Sequence, residues 1–200
     1  LYATGTSSVT LSSSVVVTDN HSTVSGGGLS IHDNSSLAVN GATVSSNTSG
    51  SGAAIYLNSN AASTFDGATI TGNTSASGSG AIALSDTSSV TMDSSLITSN
   101  TGVSGGGISL LTGSTGTITA SQFTSNTATS KAGALMVSGA STINIDNNIF
   151  YGNTVPSTSS GGAMAVESGS VAILTHTVID SNSAGYGSAF SVNNASISFD

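Results

Sequence analysis

Few residues in this chain could do chemistry: its 200 residues include nine acids, three histidines, one basic residue and no cysteine. Asp66, Asp93 and Asp146 each precede a recurring asparagine by seven residues. Paired carboxylates could bind calcium, which takes oxygen ligands, or act as the acid pair of a glycosidase. Asp66 and Asp93 are therefore the candidate metal ligands, and calcium is the one cofactor that the sequence suggests.

The remaining charged residues narrow the function. The net charge is −8 and Lys131 is the only cation, so nucleic acid is not expected as a partner. His21, His32 and His176 are too scattered to predict a metal site. No apolar run of about 18 residues occurs, so direct insertion into a membrane is not expected either. We predict no catalytic residues, and we keep a carbohydrate-active enzyme as an alternative.

The elements that must position these residues follow an internal repeat. Seven copies of one phrase occur, of which "ITSNTGVSGGGISL" and "FTSNTATSKAGALMV" are examples. Its asparagine returns every 26 to 29 residues, at Asn20, Asn47, Asn73, Asn100, Asn126, Asn153 and Asn182. Self-similarity at a fixed period of this length is typical of solenoids.

Apolar residues keep three fixed places relative to that asparagine. The first lies three residues before it, at Val17, Val44, Ile70, Ile97, Phe123, Phe150 and Ile179. The second is an apolar-x-apolar pair after it, such as Ile82/Leu84, and the third is a similar pair before the next asparagine. We place Ile143/Ile145 and Val171/Ile173 in this third set. Alternation with a period of two predicts strands that turn one face inward.

Three short strands in each repeat describe one turn of a coil. Propeller blades need about 40–50 residues, so this period is too short for them. The sequence therefore predicts an all-β fold: a single-stranded parallel β-helix of about seven turns, each of 26–29 residues with three short strands, forming a single domain over residues 1–200.

Stacking explains the asparagines. Equivalent residues of successive turns should lie directly above one another, about 4.8 Å apart. An amide both donates and accepts hydrogen bonds, so the seven asparagines should form a structural ladder, whereas a charged side chain would repel its own copy. Asparagine also tolerates the left-handed conformation of a sharp corner, and we expect it to be the corner residue itself.

Two motifs alternate along the chain and carry a resemblance. "FTSN" and "FYGN" match an FxxN motif, while "GGAM", "GAL" and "GAI" match or approximate GGA followed by Ile, Leu or Val. Together they resemble the repeats of the chlamydial polymorphic outer membrane proteins over essentially the whole chain. This resemblance implies a right-handed parallel β-helix that is exposed on the cell surface and takes part in adhesion.

From these observations we expect a non-catalytic structural and adhesive protein, extracellular or on a cell surface, which presents Ser-, Thr- and Asn-rich faces. A host receptor or glycan would be its partner. The repeat runs to both termini, so we also expect either a segment of a longer solenoid or a filament subunit that stacks head to tail with other copies. Sequons occur at Asn20, Asn34, Asn47, Asn73 and Asn194. A glycan on Asn47 or Asn73 would disrupt the ladder, so Asn34 and Asn194 are the candidate glycosylation sites.

Overall fold

Successive turns of the chain pair in register as parallel strands in the computed structural model, which describes residues 1–200. The fold contains no α-helix, and no helix that could cross a membrane. Ile82, for example, pairs with Ile55 on one side and Ile108 on the other. The chain is thus a parallel β-helix of about seven turns, as predicted.

Three long sheets form the walls of the coil. The first contains β1 (Tyr2–Ala3), β4 (Leu29–Ile31), β8 (Ile55–Leu57), β12 (Ile82–Leu84), β16 (Ile108–Leu110), β20 (Leu135–Val137), β23 (Met164–Glu167) and β26 (Phe190–Asn193). The second contains β2 (Ser8–Leu11), β5 (Ser36–Asn40), β9 (Ala62–Asp66), β13 (Ser89–Asp93), β17 (Thr115–Thr119), β21 (Thr142–Asp146), β24 (Val171–Thr175) and β27 (Ser196–Phe199). The third contains β3 (Val16–Thr18), β6 (Thr43–Ser45), β10 (Thr69–Thr71), β14 (Leu96–Thr98), β18 (Gln122–Thr124), β22 (Ile149–Tyr151) and β25 (Val178–Asp180).

A fourth, shorter sheet adds to the three predicted strands in the central turns. It follows the recurring asparagine and contains β7 (Thr48–Ser49), β11 (Thr74–Ser75), β15 (Thr101–Ser104) and β19 (Thr127–Lys131). The chain then approaches the next turn closely: a Cβ on Gly106 would lie 2.4 Å from the Thr127 carbonyl oxygen, so only glycine fits there.

The core lies inside the coil and is formed by the inward residues of the three walls. A single cluster of 36 buried apolar residues runs along the axis. Its largest side chains are phenylalanines, and Phe123 stacks on Phe150 with ring centroids 4.7 Å apart. Burial of this continuous column supplies the hydrophobic stabilisation that no single turn could provide.

Two predictions about local structure are wrong. Val171 and Ile173 were expected to point inward, but their neighbours Ala172 and Leu174 are the buried pair, in register with Ile143 and Ile145. The ladder asparagines are not the left-handed residues either. In every copy the residue just before the asparagine has a positive φ, as Ser99 (56°) and Gly72 (65°) do.

Candidate functional site

The recurring asparagines stack as a hydrogen-bonded column at the corner after the third sheet. We call this column, from Asn20 to Asn182, the asparagine ladder. The Asn100 side chain shows its geometry. Its Nδ2 donates to Asn126 Oδ1 and to the Ile70 carbonyl oxygen, both at 3.0 Å, and its Oδ1 accepts from Asn73 Nδ2 and from the Asn73 backbone N–H, both at 2.9 Å. One side chain therefore links three turns.

The same bonds repeat along the whole ladder. Each Oδ1 from Asn47 to Asn182 accepts two N–H groups of the preceding asparagine, at 2.9–3.1 Å. Asn47, Asn73, Asn100, Asn126 and Asn153 are fully buried. A carboxylate could accept these bonds but could not donate to the next turn, so only an amide satisfies every group.

The other two corners also contain buried polar columns, which the sequence analysis missed. At the corner between the second and third sheets, Ser95 Oγ accepts from the Ala68 N–H at 3.1 Å, and Ser121 Oγ accepts from the Ser95 N–H at 3.0 Å. The corner between the first and second sheets carries a column of buried serines: Ser35, Ser88, Ser114, Ser141 and Ser170. Their constant offset from the asparagine was the available signal.

The acidic candidates lie on the outward face of the second sheet. Asp66 pairs with Asp93 on the adjacent strand, as the spacing indicated, and both are exposed. Thr119 continues the column and donates to Asp93 Oδ1 at 2.6 Å, while Ser94 donates to Oδ2 at 2.8 Å. These hydroxyls hold the pKa of Asp93 below its usual value of 3.8.

Asp146 lies in the same column, one position beyond Thr119, and the next turn supplies its partners. Thr175 Oγ1 donates to Asp146 Oδ1 at 2.5 Å, and His176 Nδ1 lies 2.8 Å from the same oxygen. The Thr175 hydroxyl, followed by His176, lowers the pKa of this carboxyl. Hydroxyl and carboxylate thus alternate on these turns, which keeps most like charges apart.

Calcium would find only part of a coordination shell at the Asp66–Asp93 pair. Calcium takes six to eight oxygen ligands, and nowhere does the structure bring three acidic or histidine side chains together as a metal-binding group. The histidines are also separate from one another. His21 contacts Thr48 and His32 contacts Ser30, each at 2.8 Å.

The only cation is already paired. Lys131 Nζ contacts both carboxylate oxygens of Glu167, at 2.8 and 3.1 Å, and the Glu167 side chain is only 11% exposed. This pair joins two successive turns on the outside of the coil, beside the small apolar cluster of Ala132, Met136 and Ala165. It leaves no free ammonium group for an anionic ligand.

The sequons fall into two groups. Asn47 and Asn73 belong to the ladder, where both amides are buried and bonded to neighbouring turns. Asn34 and Asn194 are exposed, as a glycan acceptor must be. Asn194 has a positive φ of 50° at its corner. Asn20, at the first turn of the ladder, is exposed as well, but its Nδ2 already donates to the Thr18 carbonyl oxygen and to Asn47 Oδ1.

Comparison with known proteins agrees with this architecture. The model of a family described as "Right handed beta helix region" matches residues 53–200, which is 148 of the 200 residues. No curated protein and no solved structure matches the chain. The repeats predicted a parallel β-helix, and the match supports its right-handed form. Because the match covers more than half of the chain, the protein belongs to the right-handed β-helix family.

Proposed function

We propose that this β-helix is a non-catalytic structural and adhesive protein of a cell surface or the extracellular space. One observation carries the proposal: the outward faces repeat neutral hydroxyl and amide side chains on successive turns, as in the column Thr18, Ser45, Thr71, Thr98 and Thr124. Such a face offers many weak polar contacts in a regular array, which suits an extended partner. The resemblance to chlamydial polymorphic outer membrane proteins supports adhesion in particular.

The proposal is tested by attachment. Beads coated with the purified chain should bind cells or a glycan surface more than beads coated with a β-helix of unrelated surface, and free chain should compete. Equal attachment of the two kinds of bead would contradict adhesion. Glycans on Asn34 and Asn194 belong to the same proposal, and mass spectrometry of chain secreted from a glycosylating host would show them.

A carbohydrate-active enzyme remains the alternative for the acid pair. Adjacent strands lie about 4.8 Å apart, close to the spacing of the two carboxyls in retaining glycosidases. However, Asp66 and Asp93 are exposed and line none of the three surface cavities. A general acid also needs a raised pKa, whereas that of Asp93 is lowered. Release of reducing sugar from neutral or acidic polysaccharides, lost in Asp66→Ala, would establish the enzyme.

A filament is the second structural alternative. The strands of the outermost turns pair on one side only, and unpaired strand edges can add further turns or other copies of the chain. The register of the asparagine ladder would then continue across each junction. Sedimentation velocity distinguishes the alternatives: a mass that rises with concentration supports stacking, and a constant monomer mass contradicts it.

A further inference from the structure

One outward face departs from the neutral, hydroxyl-rich pattern. On strands β18, β22 and β25 of the third sheet, inward Phe123, Phe150 and Ile179 alternate with outward side chains. The outward ones form two columns, Gln122–Ile149–Val178 and Thr124–Tyr151–Asp180. Ile149, Tyr151 and Val178 are 40%, 50% and 55% exposed. We call these six outward residues the tyrosine platform.

The fold does not require apolar residues at these positions. Earlier turns carry Thr43 and Ser45, or Thr69 and Thr71, at the same places of the same sheet. Both sets therefore support the same walls and the same core. Val16 and Leu96 occupy the first place in two other turns, but each is followed there by an outward threonine, so Ile149 and Tyr151 form the turn in which both places are apolar. Clustered exposed apolar side chains with a polar rim are typical of interaction sites rather than of plain surface, so the platform is better explained by a ligand than by folding.

The chemistry of the platform indicates the class of ligand. The Tyr151 ring and the flanking aliphatic side chains offer a flat apolar surface, and a sugar ring has a matching C–H face. Around it are polar groups that could bind sugar hydroxyls. Asp180 Oδ1 accepts from Ser181 at 3.1 Å, and the half-exposed Tyr151 carries a phenolic hydroxyl. Tyrosine suits such a role because it combines an apolar body with a polar tip.

Charge and shape narrow the class further. The chain has a net charge of −8, its one ammonium group is held by Glu167, and Asp180 lies on the platform itself. An acidic polymer would therefore be repelled. The platform lies on the outside of a sheet whose adjacent strands are about 4.8 Å apart, and of its six residues only Val178, on the last strand of that sheet, also lines a cavity. Such an open surface fits an extended chain better than a small enclosed ligand. Resting on the adhesive function proposed above, we propose that the tyrosine platform binds a neutral polysaccharide, with one sugar ring stacked on Tyr151.

Affinity electrophoresis tests this directly. The chain is run through native gels that contain a soluble neutral polysaccharide, such as β-glucan, mannan or dextran, or acidic polygalacturonate for comparison. We expect retardation by at least one neutral polymer and none by the acidic one. Tyr151→Ala should weaken binding about tenfold, the order expected for a central aromatic contact, whereas Tyr151→Phe should retain most of it.

Matched control variants distinguish binding at the tyrosine platform from non-specific binding elsewhere on the protein. Tyr186 is 71% exposed and lies beyond the asparagine ladder, where it bridges to Ser160 and belongs to no strand of the third sheet, so Tyr186→Ala should bind as the wild type does. Circular dichroism should show that all variants are folded, since neither tyrosine belongs to the core. The proposal is overturned if no neutral polymer retards the wild type, if polygalacturonate retards it equally, or if Tyr151→Ala migrates as the wild type does.

The bead assay distinguishes this site from adhesion in general. Wild-type and Tyr151→Ala beads could attach to cells equally well and bind the neutral polymer equally well. That result would refute the platform as the binding site and leave the adhesive function standing. If Tyr151→Ala loses polymer binding and wild-type beads attach to no cell, adhesion is refuted and the platform stands.

Discussion

Replacing one central asparagine of the ladder should destabilise the whole β-helix. Asn100 lies in the middle of the ladder and is fully buried. Asn100→Ala removes the acceptor of the Asn73 N–H and of Asn73 Nδ2, and it removes the donor to the Ile70 and Asn126 oxygens. Four hydrogen bonds are lost in one substitution, while the backbone path is unchanged.

The size of the expected loss of stability depends on the hydrogen bonds that the former partners of Asn100 retain. Asn73 Nδ2 still donates to the Val44 and Thr71 carbonyl oxygens, and Asn126 Oδ1 still accepts from the backbone N–H of residue 100. The Asn73 N–H has no other acceptor. An orphaned buried donor costs about 1–3 kcal/mol and each of the three other lost bonds about 1 kcal/mol, so we expect a loss of stability of about 4–6 kcal/mol. Total stabilities of proteins are only about 5–15 kcal/mol.

Urea unfolding followed by far-ultraviolet circular dichroism measures this loss. Asn144→Ala is the matched control, because Asn144 is an exposed residue of the second sheet outside the ladder, and it should change stability by less than about 0.5 kcal/mol. A loss in Asn100→Ala of about 1 kcal/mol or less, or one equal to that of the control, would refute the role given to the ladder.

The same position yields a test of why the ladder is uncharged. Asn100→Asp keeps the shape but places a carboxylate where a donor is needed, so burial should raise the pKa of the introduced group. Its charged form is the costly one, and the destabilisation should therefore be greatest above that raised pKa and should shrink as the pH falls through it. Unfolding midpoints from pH 8 to pH 4, compared with the wild type, would show this. A pH-independent difference would contradict the argument.

Three further outcomes are expected. Ala68→Ser should stabilise the protein by about 1 kcal/mol, measured by urea unfolding, because a hydroxyl there would accept the Ala42 N–H as Ser95 accepts that of Ala68. Asp146 has a lower pKa in the folded protein than in the unfolded chain, where it is about 3.8, so its ionised carboxylate stabilises the fold at any pH above 3.8. This contribution is lost as the pH falls through the pKa of the folded state. Thermal melting from pH 6 to pH 2 should show this loss, and exchange of Thr175 for Val should make it shallower. Calcium should raise the melting temperature only if the acid pair binds it, and Asp66→Asn should abolish that rise.

The repeat could be predicted from the sequence because every turn needs the same types of residue at the same positions. The inward apolar residue three places before the asparagine recurs in all seven copies, and in the structure these residues pair in register from Val17 to Ile179. The asparagine ladder could be predicted for the same reason, because a side chain that bonds to its own copy on the next turn must recur in every turn.

The errors arose where local pattern is ambiguous. In Val171–Leu174 all four residues are apolar, so alternation could not show which pair faces inward, and a shift of one residue exchanges the faces. The register is fixed instead by Ile143 and Ile145 on the neighbouring strand. The Lys131–Glu167 contact was also hidden, because the intervening turn includes the longer loop around Pro156.

Stacking also explains where this protein can carry ionisable and ligand-binding side chains. A charge placed in an inner column would meet its own kind about 4.8 Å away on each side, in a medium of low effective dielectric constant. Ionisable groups are accordingly found on outer positions, and Asp93 and Asp146 each face a threonine hydroxyl of the following turn. The inner columns fix the fold and leave the outer positions free to differ from turn to turn. Residues that break the outer pattern, above all Tyr151, are therefore where a specific ligand should be sought.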